Sequence, residues 1–332
     1  MNSLHRLVLL SLTGLTLVLP STGGAAVSGT IELNPPTAPQ GFESRQAVMA
    51  AIFKKELELI QSDFPTPTNV KEIKNIEYGR AAHRPLLLDL YLPEKPDLKK
   101  PSLIFIHGGA WSGGSRDVYK HYTVHFAKLG YAAATISYRL SGEAPFPAAV
   151  HDSKGAVRWM RAKAGDYGFN AKKIVAIGGS AGGHLSLLGY TPKLSALEGQ
   201  TGHADESSAV QAVINFYGPV DLTTKMGQES GSVRKFLDGA TYQDRPQLYQ
   251  QASPLFHLKK SAPPTLIIHG TLDETVKIGQ GDALASKLSE LEVPFAYARL
   301  EGWPHTLDAA TMVNQYCTTL MESFLRRTFS AK

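Results

Sequence analysis

Short apolar runs without polar alternation leave a chain few ways to fold, because each must be covered on both faces. Leu103–Ile106 and Ile174–Ile177 read this way, as strands inside a sheet with a layer on either side, and Val210–Phe216 and Thr265–Ile268 read as further strands. Residues recur at helical spacing in the segments between them: Val118–Leu129, Pro147–Ala164, Leu185–Tyr190, Val276–Leu291 and the closing Ala309–Phe324. Ala132–Tyr138 and Phe295–Leu300 add strands. Ile73–Tyr78 and Leu86–Leu92, separated by a short polar turn, read as an antiparallel entry pair. Strands alternating with helices predict an α/β chain with a mostly parallel central sheet flanked by helices.

The first residues follow a different logic. Arg6 precedes an apolar run from Leu7 to Leu19, then Pro20 and the small residues Gly23, Gly24, Ala25 and Ala26. A basic start, a short greasy core and a small-residue cleavage region predict a signal peptide over 1–26 and a secreted or periplasmic mature chain. The run is short for a membrane span, so no stable span is expected in the mature chain. Residues 27–68 read as a leader segment. Its Gly, Pro and Thr as far as Phe42 suggest a linker, and Val48, Ile52, Phe53, Leu57 and Ile60 suggest an N-terminal helix. The catalytic domain is then expected over 69–332. Within it, 221–256 is polar, long and broken by Gly and Pro, as a small cap insertion would be. Cys317 is the only cysteine, so no disulfide joins the chain to itself. The formal charge of +5 is spread over scattered basic pairs, and no stripe for nucleic acid emerges.

Four short segments carry chemistry. Gly178-Gly179-Ser180-Ala181-Gly182 fits G-x-S-x-G and stands between a buried strand and a helical stretch, where a nucleophile needs small neighbours at a sharp turn. His107-Gly108-Gly109-Ala110-Trp111 follows another buried strand. Glycines there let backbone N–H groups approach a developing oxyanion, so Gly108, Gly109 and the N–H of Ala181 are the expected oxyanion hole. Asp273 lies just past the strand in Leu266–Gly270, and His305 lies in the loop after the last strand. Serine, acid and histidine in that chain order, each at a strand's C-terminal end, make Ser180, Asp273 and His305 the candidate nucleophile, acid and base. Asp221 is a rival acid; His151, His184, His257 and His269 read as packing or surface residues, and His107 as holding its loop through a hydrogen bond. Trp111 and Trp303 are expected to wall the substrate site. No metal-ligand spacing and no cofactor motif are evident, so neither is expected.

These segments, together with Ser137-Tyr138-Arg139-Leu140, Phe146–Asp152 and Tyr217–Asp221, resemble the hormone-sensitive-lipase-like esterases, and within them the BD-FAE-type bacterial carboxylesterases. The likeness runs from about Ile73 to the C-terminus. Two positions depart: Ala110 stands where the strict lipase pattern has glycine, and Trp303-Pro304 replaces small residues before the histidine. The resemblance implies an α/β-hydrolase fold, structural roles for Asp152 and Arg158, and a serine carboxylesterase. Its substrates would be short-chain, acetyl or feruloyl esters, free or linked to polysaccharide. A peptidase or lipase on the same fold, or a non-catalytic binding protein, are the competing readings.

Overall fold

The computed structural model describes residues 37–61, 63–82, 84–189 and 195–330; the expected signal peptide, Val27–Pro36 and Tyr190 lie outside these. An eight-stranded sheet forms from β1 (Val70–Ala81), β2 (Arg84–Pro93), β3 (Ser102–Ile106), β4 (Ala133–Ile136), β5 (Ile174–Gly179), β6 (Ala212–Phe216), β7 (Thr265–Gly270) and β8 (Phe295–Leu300). The spatial order is β1-β2-β4-β3-β5-β6-β7-β8. β1 and β2 pair antiparallel, as do β2 and β4; every pairing from β4 to β8 is parallel. The parallel strands therefore deliver their C-terminal ends to one edge, which is where all four motifs lie.

The helices are α1 (Arg45–Phe53), α2 (Lys120–Lys128), α3 (Ala148–Tyr167), α4 (Ala181–Leu188), α5 (Ser195–Glu198), α6 (Lys225–Glu229), α7 (Gly231–Phe236), α8 (Pro246–Gln251), α9 (Gly279–Glu290) and α10 (Thr311–Phe329). The unbroken apolar runs have a direct cause in this layering. On β3, Leu103 and Phe105 pack toward α2 and α10, while Ile104 and Ile106 pack toward α3, α4 and α9. β5 divides in the same way, with Val175 and Ile177 on the first face and Ile174 and Ala176 on the second. Each such side chain, fully buried, contributes about 1.5–3 kcal/mol. The sheet core is thus built from strands that have no polar face to offer solvent.

Helix boundaries move where the site needs loop. The helix expected from Val276 begins only at Gly279, because Asp273 Oδ1 accepts the backbone N–H groups of Thr275 (2.9 Å) and Val276 (2.8 Å). The expected helix over Val48–Ile60 ends at Phe53: Lys55 takes a left-handed conformation (φ 59°), and Leu59 pairs with Ala310. The insertion at 221–256 folds as α6, α7 and α8, with a 3-10 turn at Pro254–His257.

Asp152 and Arg158 are both fully buried on α3, and each joins it to a loop. Asp152 accepts from the Arg139 backbone N–H (2.9 Å), Arg139 Nε (2.9 Å) and Arg139 Nη2 (2.7 Å). Arg158 donates to Glu198 Oε1 (2.7 Å) and the Thr201 carbonyl (2.6 Å). The Asp152–Arg139 pair fixes the chain just after β4, and the adjoining Tyr138 hydroxyl donates to the His107 carbonyl (2.9 Å). The strand-end loop with the paired glycines is therefore held from α3 through two residues. Asp152 is buried but the Arg139 left behind is 24% exposed and can reach water, so Asp152→Ala should lower unfolding free energy by about 2 kcal/mol. A shift in urea midpoint corresponding to less than 1 kcal/mol would show the pair to be dispensable.

Candidate active site

Ser180 is the single residue between the end of β5 and the start of α4, and it adopts φ 56°, ψ −123°. A non-glycine residue at positive φ stores roughly 1–3 kcal/mol and persists only where its surroundings hold it. Here its N–H donates to the Phe216 carbonyl (2.9 Å), and its own carbonyl accepts from His184 N–H (3.0 Å). The turn also requires close backbone approach. A Cβ on Gly182 would stand 1.8 Å from the Ile106 carbonyl oxygen, and one on Gly178 would stand 2.4 Å from the Gly182 backbone. Small neighbours at both positions are a steric necessity.

The loop after β3 runs beside this turn. A Cβ on Gly108 would come within 3.3 Å of Ser180 Cβ, and Gly109 adopts φ 111°. Ala110 and Trp111 follow at φ 54° and 55°, so Ala110 holds a left-handed conformation that glycine would take without strain. Among the described residues, the N–H groups of Gly108, Gly109 and Ala181 donate to no backbone carbonyl or side chain. His107 Nδ1–H donates to the Gly108 carbonyl (2.7 Å) and its ring stacks on Tyr138 at 4.4 Å. Burial lowers the His107 pKa.

Trp111 does not wall an open site. Only 4% exposed, its ring stacks on Phe236 of α7 at 4.5 Å, and its indole N–H donates to His184 Nδ1 (3.2 Å). His184 Nε2–H in turn donates to the Ala252 carbonyl (2.7 Å). Burial pushes the His184 pKa down to about 4, so the ring is neutral and keeps the tautomer these two bonds require. The indole is an anchor that ties the Gly108–Trp111 loop to the insertion.

His305 stands in the loop after β8, with Nε2 3.0 Å from Ser180 Oγ and Nδ1 2.6 Å from Asp273 Oδ2. The three candidate residues are thus joined in one hydrogen-bonded chain. Asp221, the rival acid, accepts from the Thr223 N–H (2.8 Å) and hydroxyl (2.6 Å) and serves its own turn. Asp273 is 3% exposed. Burial alone would raise its pKa, but hydrogen bonds from His269 and His305, the charge of His305 and the Val276 N–H outweigh it and hold the carboxyl below its ordinary value. It therefore stays ionised to lower pH than an ordinary aspartate does.

His269, read from the sequence as packing, lies against this acid. Its Nε2–H is 2.8 Å from the Val276 carbonyl and 3.3 Å from Asp273 Oδ2. With Thr275 and Val276 on Oδ1, donors face both carboxylate oxygens and fix the carboxylate plane. The available signal was spacing: His269 ends a buried strand four residues before the acid. On its other side His305 meets the edge of Tyr217 at 4.7 Å, and the Tyr217 hydroxyl donates to buried Asp308, three residues after the base.

Trp303 is also buried, at 1% exposure, with its indole N–H donating to the Pro39 carbonyl (3.0 Å) and Phe42 edge-on at 5.5 Å. Both rings are fastened into loops, but Trp303 also borders the cavity between α1 and the His305 loop. The linker expected as far as Phe42 is corrected too over its described part. Phe42 N–H donates to Gly302 O (2.9 Å), Ile60 N–H to Ala309 O (2.9 Å) and Thr311 N–H to Glu58 O (2.9 Å). Residues 39–60 thus bracket the loop carrying His305 and share a core with α2 and α10.

Comparison with known proteins places this geometry among esterases. The probable carboxylic ester hydrolase LipM of Mycobacterium tuberculosis is 32% identical over 268 residues, 77% of this chain and 60% of LipM. The chain spans less than two thirds of the length of such curated relatives. A truncated carbohydrate esterase from gut microbiota superposes with TM-score 0.70 at 25% identity, covering 80% of this chain and 99% of that one. Esterase 2 of Thermogutta terrifontis, solved with propionate bound, gives TM-score 0.65 at 27% identity over 79% of this chain and 95% of its own. The BD-FAE family pattern matches residues 88–288, from inside β2 to near the end of α9, and the chain belongs to that family, on an α/β-hydrolase fold.

Proposed function

We propose that the chain is a serine carboxylesterase acting on short-chain, acetyl or feruloyl esters, exported after removal of residues 1–26. The observation that carries this is the unbroken line from Ser180 Oγ through the His305 ring to Asp273 Oδ2, at 3.0 and 2.6 Å. Ser180 Oγ attacks the ester carbonyl carbon while His305 Nε2 takes its proton, and Asp273 holds the imidazole in the tautomer that can do so. The carbonyl oxygen becomes an oxyanion held by the N–H groups of Gly108, Gly109 and Ala181; one such donor is worth about 3 kcal/mol of barrier. His305 then passes the proton to the leaving alkoxide, which departs as alcohol and leaves acyl-Ser180. Water, deprotonated by His305, attacks the acyl carbon and releases acid and free serine.

The propionate carried by the Thermogutta relative supports short acyl groups. An ester substrate, free or attached to a polysaccharide, needs no further cofactor for this chemistry.

Ser180→Ala should abolish covalent labelling by a fluorophosphonate and reduce turnover by about 10⁶; labelling at the parent rate would exclude Ser180 as nucleophile. Asp273→Asn should cut kcat by about 10⁴ while Asp221→Asn changes it only a few-fold; the reverse ranking would transfer the acid's role to Asp221. With p-nitrophenyl esters, kcat/KM should peak between acetyl and butyryl, and a steady rise to dodecanoyl would point to a lipase. Export is checked by N-terminal sequencing of protein from its native source, which should begin near Val27; an intact Met1 would exclude cleavage.

A further inference from the structure

A cavity of about 360 Å³ opens between α1 and the loop that carries His305. Val48, Met49 and Ile52 of α1, with Leu57 and Leu272, give it an aliphatic lining, and His305 forms part of its border. Arg45 and Glu274, paired at 3.1 Å and both more than half exposed, also border it and offset each other's charge. Neither Ser180 nor any of Gly108, Gly109 and Ala181 touches it. The cavity is held open by the bracket described above, with Phe42 on Gly302 at one end of α1 and Ile60 on Ala309 beyond the other.

The chemistry of ester cleavage says which half of a substrate belongs there. The carbonyl oxygen must face the backbone donors, while the leaving oxygen must receive its proton from His305 Nε2. An alcohol on that oxygen extends toward His305 and away from the donors, and the cavity is bordered by His305 and by none of the donors. Its volume lies in the range of small-molecule sites, and its lining matches an uncharged apolar group. We propose that this cavity receives the alcohol half of the ester, an alkyl or aryl alcohol of several carbons, so that α1 selects the leaving group. This rests on the esterase function proposed above. Acyl length and alcohol length are then read by different parts of the molecule.

The test varies the two halves separately. Met49 is 55% exposed, so Met49→Trp adds bulk at the cavity without disturbing the core. On acetate esters of methanol, butanol, hexanol and phenol, kcat/KM of the parent should rise with alcohol size, by up to about fourfold per methylene fully buried. Met49→Trp should lower the hexyl-to-methyl acetate ratio fivefold or more, while the methyl hexanoate-to-methyl acetate ratio moves less than twofold. A second measurement does not depend on turnover. In methyl-¹³C-methionine protein, with Met49 assigned through Met49→Leu, hexan-1-ol should shift the Met49 resonance saturably and hexanoate should not. Ester turnover with a silent Met49 resonance, or with an alcohol ratio that Met49→Trp leaves unchanged, overturns this proposal alone. A chain that cleaves no ester overturns both this proposal and the esterase function.

Discussion

The contact on which the site depends is a backbone one, between the first turn of α4 and the end of β3. Gly182 lies so close to the Ile106 carbonyl that a Cβ there would stand at 1.8 Å, far inside any real van der Waals distance. That approach presses the end of β5 against the loop after β3 and fixes where Ser180 and Gly108 meet. Everything else about the site follows from two neighbouring parallel strands ending at one level, with a helix starting immediately behind one of them. Ser180 is held at positive φ because the turn has no length in which to relax.

Around this rigid centre the ionisable groups are arranged so that burial does not neutralise the wrong one. Asp273 keeps its charge while nearly inaccessible because donors from His269, His305, Thr275 and Val276 meet its two oxygens. Asp308, buried nearby without comparable compensation, has its pKa raised by burial, with the Tyr217 and Tyr122 hydroxyls as its side-chain donors. His184 is kept neutral by burial and used as a linker between Trp111 and Ala252. Residues of the same type thus play different parts according to how many donors reach them.

The strands and the relation among Ser180, Asp273 and His305 were legible in the sequence because they rest on local patterns. An apolar run of four to six residues ending in Gly-rich turns is readable without knowing its neighbours. How the two tryptophans are fastened was not legible, for the opposite reason. Composition places a large aromatic beside a catalytic loop, but whether it faces substrate or fastens the loop depends on partners distant in the chain. Phe236 is 125 positions beyond Trp111, and Pro39 is 264 before Trp303. His269 was passed over because a histidine inside an apolar strand looks like core until the loop after it folds back and brings Asp273 within 3.3 Å.

In the N-terminal segment local pattern gives the helix but not what holds it, and its physics explains why. α1 has nine residues, too few to hold a helix in water alone. Its buried side chains, Val48 and Ala51, give it only a small apolar face of its own. What orders it is tertiary: backbone hydrogen bonds to Gly302, Ala309 and Thr311 at its two flanks, and burial against α10. None of these partners is encoded within the segment, so the residues up to Phe42 read as linker even though a helix is expected after them. The dependence runs both ways, because the loop that carries His305 is itself irregular and would otherwise have its outer face open to solvent. The N-terminal segment thereby becomes one of the supports that hold His305 at 3.0 Å from Ser180.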